Sequence, residues 1–109
     1  MKFTVLAASA AALGFANVAA AQECTLDATP PQMPDGAALT QEEHAEVVAQ
    51  IRAFQGALGE YRACLEAIVD NAELEEAARQ AALNAFNDSV DMETQVVEAY
   101  QAMRAEMPN

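Results

Sequence analysis

One run of apolar residues constrains the fold of this chain more than any other feature. Its members follow one another at alternating spacings of four and three residues: Val47, Ile51, Phe54, Leu58, Tyr61, Leu65 and Ile68. An α-helix turns by about 100° per residue, so this spacing keeps all of them on one face, where a second helix has to cover them. The run therefore predicts an all-α fold with a coiled-coil-like seam.

The start of this helix is marked by a capping box. Thr40 can cap the helix and Glu43 stands three residues later, so that the side chain of each can bond the backbone amide of the other. Gly56 and Gly59 fall inside the helix, where each costs about 1 kcal/mol relative to alanine. We expect them to be tolerated because a neighbouring segment packs closely against them.

A second helical segment follows a short break at Asp70–Glu73, where Asp70 and Glu73 are candidates to cap it. Its apolar positions continue at helical spacing: Phe86, Val90, Val97, Tyr100, Met103 and Met107. We therefore expect a long antiparallel two-helix hairpin over residues 40–109. Residues 87–89 can cap a helix, so a break there that gives three helices is the alternative. We prefer two helices because the apolar residues keep helical spacing through this segment. A turn at Asn71 would place Arg62 opposite Gln80, and Arg52 within reach of Asp88–Asp91 for an ion pair.

Two segments precede the hairpin. Residues 22–39 contain three prolines in five positions followed by Asp35-Gly36, which predicts an extended strap with a turn. Residues 1–21 hold Lys2, an alanine-rich uncharged run and a small-residue end at Ala19–Ala21, which predicts a signal peptide cleaved near Ala21. A retained membrane anchor is the alternative, but the run is short and mostly alanine. We expect a periplasmic protein that is not inserted in the membrane after cleavage.

The charge of the chain restricts its partners. All 17 aspartate and glutamate residues follow Ala21, and Lys2 is the only lysine. Removal of residues 1–21 leaves four arginines against 17 carboxylates, a formal charge of −13. Nucleic acid and anionic lipid surfaces require a basic footprint, so neither is expected as a partner.

Cys24 and Cys64 are the two cysteines of the chain. In an exported protein an even, small number of cysteines indicates a disulfide, and two cysteines allow one intramolecular pairing. A redox or metal pair is the alternative, although the chain has no C-x-x-C motif. The disulfide would tie the start of the strap to the first helix.

A resemblance supports the same outline. Cys24, Pro31–Gly36, Tyr61–Glu66 and Phe86–Asp91 together resemble the pattern C…P-x-x-P-D-G…Y-x-x-C-L-E…(Y/F)-N-x-x-V-D of a group of small exported proteins of proteobacteria. That group has no assigned activity, so the resemblance implies the compartment, the disulfide and the helical hairpin only. A second, shorter resemblance joins Leu39-Thr40 to the L-T-x-x-Q element of periplasmic helical chaperones.

The residues that could carry chemistry are few. The chain has one histidine, and we expect no catalytic residues and no cofactor. Glu43, His44 and Glu46 are weak candidates for a divalent-metal site at the acidic start of the first helix. A set of methionines also admits copper, but their spacing favours packing in the core: Met33, Met92, Met103 and Met107.

We therefore expect a non-enzymatic exported protein that binds an unknown envelope protein or associates with itself. A weak metal or cation binder is the alternative, and a small hydrolase-type enzyme is the third hypothesis.

Overall fold

Two long antiparallel helices with an extended segment along one side make up the protein, which a computed structural model describes over residues 24–108. Helix α1 spans Gln41–Val69 and helix α2 spans Glu76–Ala105. Between residues 24 and 108 the one other helical piece is a 3-10 turn at Gly36–Ala38, and there is no strand. The predicted two-helix hairpin is confirmed, since α2 continues unbroken through residues 87–89. The predicted signal peptide lies outside the described residues.

The two helices begin in different ways. At α1 the predicted capping box is present: the Glu43 amide donates to the Thr40 hydroxyl (3.1 Å), and the Thr40 amide donates to the Glu43 carboxylate (2.9 Å). These bonds from Thr40 lower the pKa of Glu43. At α2 the predicted cap by Asp70 and Glu73 is wrong, because the helix begins after Glu75, which makes no side-chain capping bond.

The seam of α1 is as predicted. Six of its seven members are buried, among them Leu58 at 0% exposure, and Tyr61 is half-buried. On α2 the prediction is correct in part: Met103 is buried, and Phe86, Tyr100 and Met107 pack against the core clusters. The buried members of α2 recur every seven residues: Ala82, Ser89, Val96 and Met103. Val90, which the sequence placed on the packed face, is 42% exposed, because Ser89 and not Val90 lies in the contact with α1.

The register of the hairpin also differs from the sequence prediction. The connection runs from Asp70 to Glu75 instead of turning at Asn71, and this lengthening moves the partners of α1 along α2. Arg62 lies against Ser89 and Glu93 instead of Gln80. The predicted ion pair of Arg52 is wrong, because Arg62–Glu93 at 2.9 Å is the one ion pair found between residues 24 and 108.

The strap runs along the hairpin and is fixed at both ends. The predicted disulfide joins Cys24 to Cys64. At the other end Asp35 accepts a hydrogen bond from the Ala37 amide, and Gly36 is buried against α2. A Cβ atom at Gly36 would overlap the carbonyl oxygen of Met103, so this position requires glycine.

The other two helical glycines contradict the sequence prediction. Gly56 and Gly59 are exposed, and a Cβ atom added to either would meet no other atom within 4 Å. No segment of residues 24–108 packs closely against them, so the structure gives no reason for glycine at either position.

Candidate functional site

The strap covers one side of the hairpin and leaves the opposite side open. Its apolar residues Leu26, Ala28 and Met33 pack against the core cluster formed by α1 and α2. The groove on the other side has no strap residue in its wall. It is lined by residues of the two helices alone: Val48, Ile51, Arg52, Gln55, Val97 and Tyr100. We use the term open face for the side of the hairpin that this groove occupies.

Helical geometry extends the open face along both helices. Residues seven apart on a helix lie nearly on the same line, because seven steps of about 100° come close to two full turns. From Val48 in the groove, the line along α1 continues through Gln55 and Arg62. From Val97 it continues along α2 through Val90 and Leu83. The open face is therefore about as long as the hairpin.

Between residues 24 and 108 no helix covers one apolar stripe of α2. Leu83 and Val90 are 40% and 42% exposed, and between residues 24 and 108 they are the two large hydrophobic residues classed as exposed. They continue the line of Val97, which is half-buried in the groove wall. The groove there has a volume of about 220 Å³. α2 thus carries two apolar stripes, one buried by α1 and one facing solvent on the open face.

A polar network crosses the centre of the open face. Arg62 Nε donates to the Ser89 hydroxyl at 2.8 Å, and another guanidinium nitrogen donates to the Ser89 carbonyl at 2.8 Å. The Ser89 hydroxyl donates in turn to the Phe86 carbonyl at 2.6 Å. Glu93 accepts from Arg62 at 2.9 Å and from the Gln55 amide at 3.1 Å. Ser89 is 1% exposed and every polar atom of its side chain has a partner, which is what lets a polar residue occupy the seam.

All four arginines that follow residue 22 lie on the open face or at its rim. Arg52 lines the groove and Arg62 forms the central network. Arg79 donates to the Val69 carbonyl at 3.0 Å across the hairpin, and Arg104 stands seven residues beyond Val97 on the same line of α2. Between residues 24 and 108 positive charge is therefore concentrated on this face.

The carboxylates are distributed in the opposite way. Glu93 is at the centre of the open face, where Arg62 neutralises it. Glu76 stands seven residues before Leu83 and Glu66 fourteen residues beyond Arg52, so the same helical geometry places both on the open face as well. Most other carboxylates of the two helices project to the outward or strap sides: Glu42, Glu43, Glu46, Glu60, Asp88, Asp91 and Glu98. The open face is therefore close to neutral, although the whole chain has a formal charge of −12.

The predicted metal candidates are not brought together. The Glu43 carboxylate closes the capping box. His44 points to the open side, where its Nε2 is 2.9 Å from the Tyr100 hydroxyl and its ring stacks on that of Tyr100 with an interplanar angle of 11°. Glu46 lies on the strap side, beside Pro34. Between residues 24 and 108 no group of three or more histidine, cysteine, aspartate or glutamate side chains is placed to hold a metal ion.

The methionines pack as the sequence predicts. Met103 is buried in the larger core cluster, and Met33, Met92 and Met107 pack against the same cluster. The residues that sequence reasoning missed are those of the central network, Arg62, Ser89 and Glu93. The signal that could have found them is the second seven-residue repeat on α2, which places Ser89 on a buried line beside the exposed line of Val90.

Comparison with known proteins supplies no relative for this geometry. Scans against protein-family models, curated proteins and solved structures return no match to the chain. Neither α1 nor α2 combines the length and the apolar character that crossing a bilayer demands. The open face is the feature of the described residues on which a proposal about function can rest.

Proposed function

We propose that this protein is an exported, non-enzymatic helical protein that acts by holding another polypeptide against its open face. The observation that supports this is the apolar stripe Leu83, Val90 and Val97, which residues 24–108 leave partly exposed. The strap covers the other side of the same hairpin, so the molecule has one side closed and one side available. Contiguous apolar surface rimmed by polar groups is typical of sites where proteins associate.

Export is supported by two features of the chain. The disulfide between Cys24 and Cys64 suits an oxidising compartment, because cytosolic thiols are kept reduced. The sequence of residues 1–21 has the charge, the apolar run and the small-residue end of a signal peptide. These features support our proposal of a periplasmic protein that is cleaved near Ala21.

A binding role accounts for the chemistry of the described residues better than catalysis does. The single histidine of the chain, His44, is engaged with Tyr100, and both cysteines are in the disulfide. A nucleophile requires a base within hydrogen-bond reach to activate it, and the Ser89 hydroxyl is bonded to Arg62 and to a backbone carbonyl instead. The acidic start of α1 supports metal binding less well, because Glu43 and His44 already have partners and Glu46 faces away from His44.

Site-specific photo-cross-linking in the exporting cell tests the proposal. A photoreactive residue at Val90 stands at the middle of the open face, and one at Ala102 stands on another side of α2; both positions are exposed. We expect discrete polypeptide adducts from position 90 and none from position 102. Equal adduct patterns at the two positions, or no adducts at position 90, would refute the proposal.

A further inference from the structure

We infer that the polypeptide held by the open face is a second copy of this chain, and that two copies form an antiparallel four-helix bundle. The inference rests on the proposed function and names its partner. Three observations lead to it: the charge balance of the open face, the complementarity of this face to a second copy of itself, and the small core of one hairpin.

Charge limits where two copies of this chain can meet. Each copy has a formal charge of −12, or −13 after removal of residues 1–21, so contact between most pairs of surfaces would place carboxylates against carboxylates. Like charges placed directly opposite each other across an interface oppose association. The open face is the exception, because its four arginines offset the charges of Glu93, Glu66 and Glu76, and Glu93 is paired with Arg62.

The pattern of the open face is complementary to itself. We consider two copies placed face to face with a two-fold axis parallel to the helices, so that α1 of one copy lies over α2 of the other at the same height. Val48 of one copy then faces Val97 of the second copy, apolar against apolar. Arg62 likewise faces Glu93 of the second copy, so two arginines and two glutamates alternate in sign around the axis. A two-fold axis perpendicular to the helices would pair α1 with α1 instead and would lose this match.

The core of one hairpin is small enough for a second copy to matter. In the part of the chain that the structure describes, Leu58 and Ser89 are the side chains that reach less than 2% exposure. A small domain buries a smaller fraction of its surface than a large one, so apolar area buried against a second copy adds a substantial share to the core. A second hairpin over the open face would bury Leu83, Val90 and Val97. The solvent-facing stripe of α2 would then pack against a helix, as the other stripe of α2 packs against α1. The neighbours would then pack antiparallel, as in four-helix bundles.

Sedimentation equilibrium of the oxidised chain from Gln22 to Asn109 tests the inference. We expect a dimer for the wild type. Val90→Glu and Leu83→Glu would each place a carboxylate in the interface, and an uncompensated buried charge is costly enough to raise the dissociation constant by at least about tenfold. The matched controls are Ala81→Glu and Ala102→Glu, which add the same charge to exposed positions of α2 outside the open face. We expect both controls to dimerise like the wild type, with far-UV circular dichroism confirming the helix content of all four variants.

The outcomes separate this inference from the proposed function. A wild type that stays monomeric up to about 100 µM overturns the second copy as partner, and so does a dimer that Ala102→Glu weakens as much as Val90→Glu does. If the wild type is monomeric but position 90 still yields adducts with a different polypeptide in the cell, the proposed function stands and the inference fails. If the wild type is monomeric and position 90 yields no adducts, both fail.

Discussion

Replacing glycine by alanine should stabilise this fold at two positions, Gly56 and Gly59, and destabilise it at a third, Gly36. Gly56 and Gly59 lie inside α1, where glycine is less favourable than alanine by about 1 kcal/mol because its backbone loses more freedom on folding. Within one hairpin a Cβ atom at either position meets no atom beyond its own stretch of helix backbone within 4 Å, so no packing term inside the chain offsets the gain. We expect Gly56→Ala and Gly59→Ala each to raise the free energy of unfolding by about 1 kcal/mol.

The effect on melting temperature follows from the size of the domain. For a domain of this length, 1 kcal/mol shifts the midpoint by about 4–8 °C. The double variant should therefore melt about 8–16 °C above the wild type if the two gains add. Additivity is expected because neither added methyl group contacts anything else.

Gly36→Ala should have the opposite sign. Its Cβ atom would overlap the Met103 carbonyl oxygen and press on Glu106. The carbonyl belongs to the α2 backbone and cannot move aside, so the turn at Gly36–Ala38 has to shift and loosen the packing of the neighbouring Leu39, which is buried. Forced overpacking of this kind costs about 1–3 kcal/mol.

Urea denaturation followed by circular dichroism at 222 nm measures all three variants. The proteins should be oxidised and compared at one protein concentration, because dimerisation would make the apparent stability depend on concentration. A neutral or destabilising Gly56→Ala would refute the reasoning, since it would mean that something does pack against that position. A Gly36→Ala variant as stable as the wild type would show that the strap does not lie against α2 as described.

Three further predictions concern the disulfide, the polar network around Ser89 and the capping box of α1. Reducing the Cys24–Cys64 disulfide, which spans 40 residues, should lower the free energy of unfolding by about 4 kcal/mol, seen as a drop in the urea midpoint on adding a phosphine reductant. Ser89→Ala removes the acceptor of Arg62 Nε in a largely buried site and should cost about 1–3 kcal/mol by the same assay; an unchanged midpoint would contradict the network. Because the pKa of Glu43 is lowered from 4.5 in the folded state, its capping contribution should be complete above that value and be lost as the pH falls through the lowered pKa. Glu43→Gln should therefore show a shallower loss of thermal stability in this acidic range than the wild type, and identical pH profiles would count against the capping box.

The first helix could be read from the sequence because its signals are redundant. The spacing from Val47 to Ile68 fixes one face without an alternative, and the Thr40–Glu43 pair marks the start by local hydrogen bonding alone. The disulfide and the turn at Asp35-Gly36 were predictable for a similar reason, since each depends on few residues. None of these features requires knowledge of what packs against what.

The second helix could not be read in the same way because it carries two stripes. The hydrophobic pattern predicts that Val90 and Val97 face α1. The residues that α1 buries are instead Ser89 and Val96, each one position earlier. Ser89 can occupy the buried position instead of Val90 because Arg62, on the other helix, donates a hydrogen bond to its hydroxyl. That compensation is a tertiary contact, and it depends on the register that the connection from Asp70 to Glu75 sets.

The open face could not be predicted from the sequence for a related reason. The sequence prediction grouped Glu43, His44 and Glu46 as weak metal candidates at the start of α1, where Glu43 and Glu46 share a helix face and about 200° of helix rotation separates His44 from Glu46. Which side of the hairpin is open depends on the strap, and the strap is directed by Cys64 and by the contact of Gly36 with α2. The open face therefore appears only when the strap, α1 and α2 are placed together.

The covering of the open face by a second copy is tested most directly by hydroxyl-radical footprinting of the two tyrosines. Tyr100 lies in the open groove and Tyr61 lies on the strap side beside the disulfide, and both are half-buried in one hairpin. We predict that Tyr100 is oxidised more slowly in the wild type than in the Val90→Glu variant, whereas Tyr61 reacts equally in both. Equal oxidation of Tyr100 in the two proteins would contradict the covering of this face.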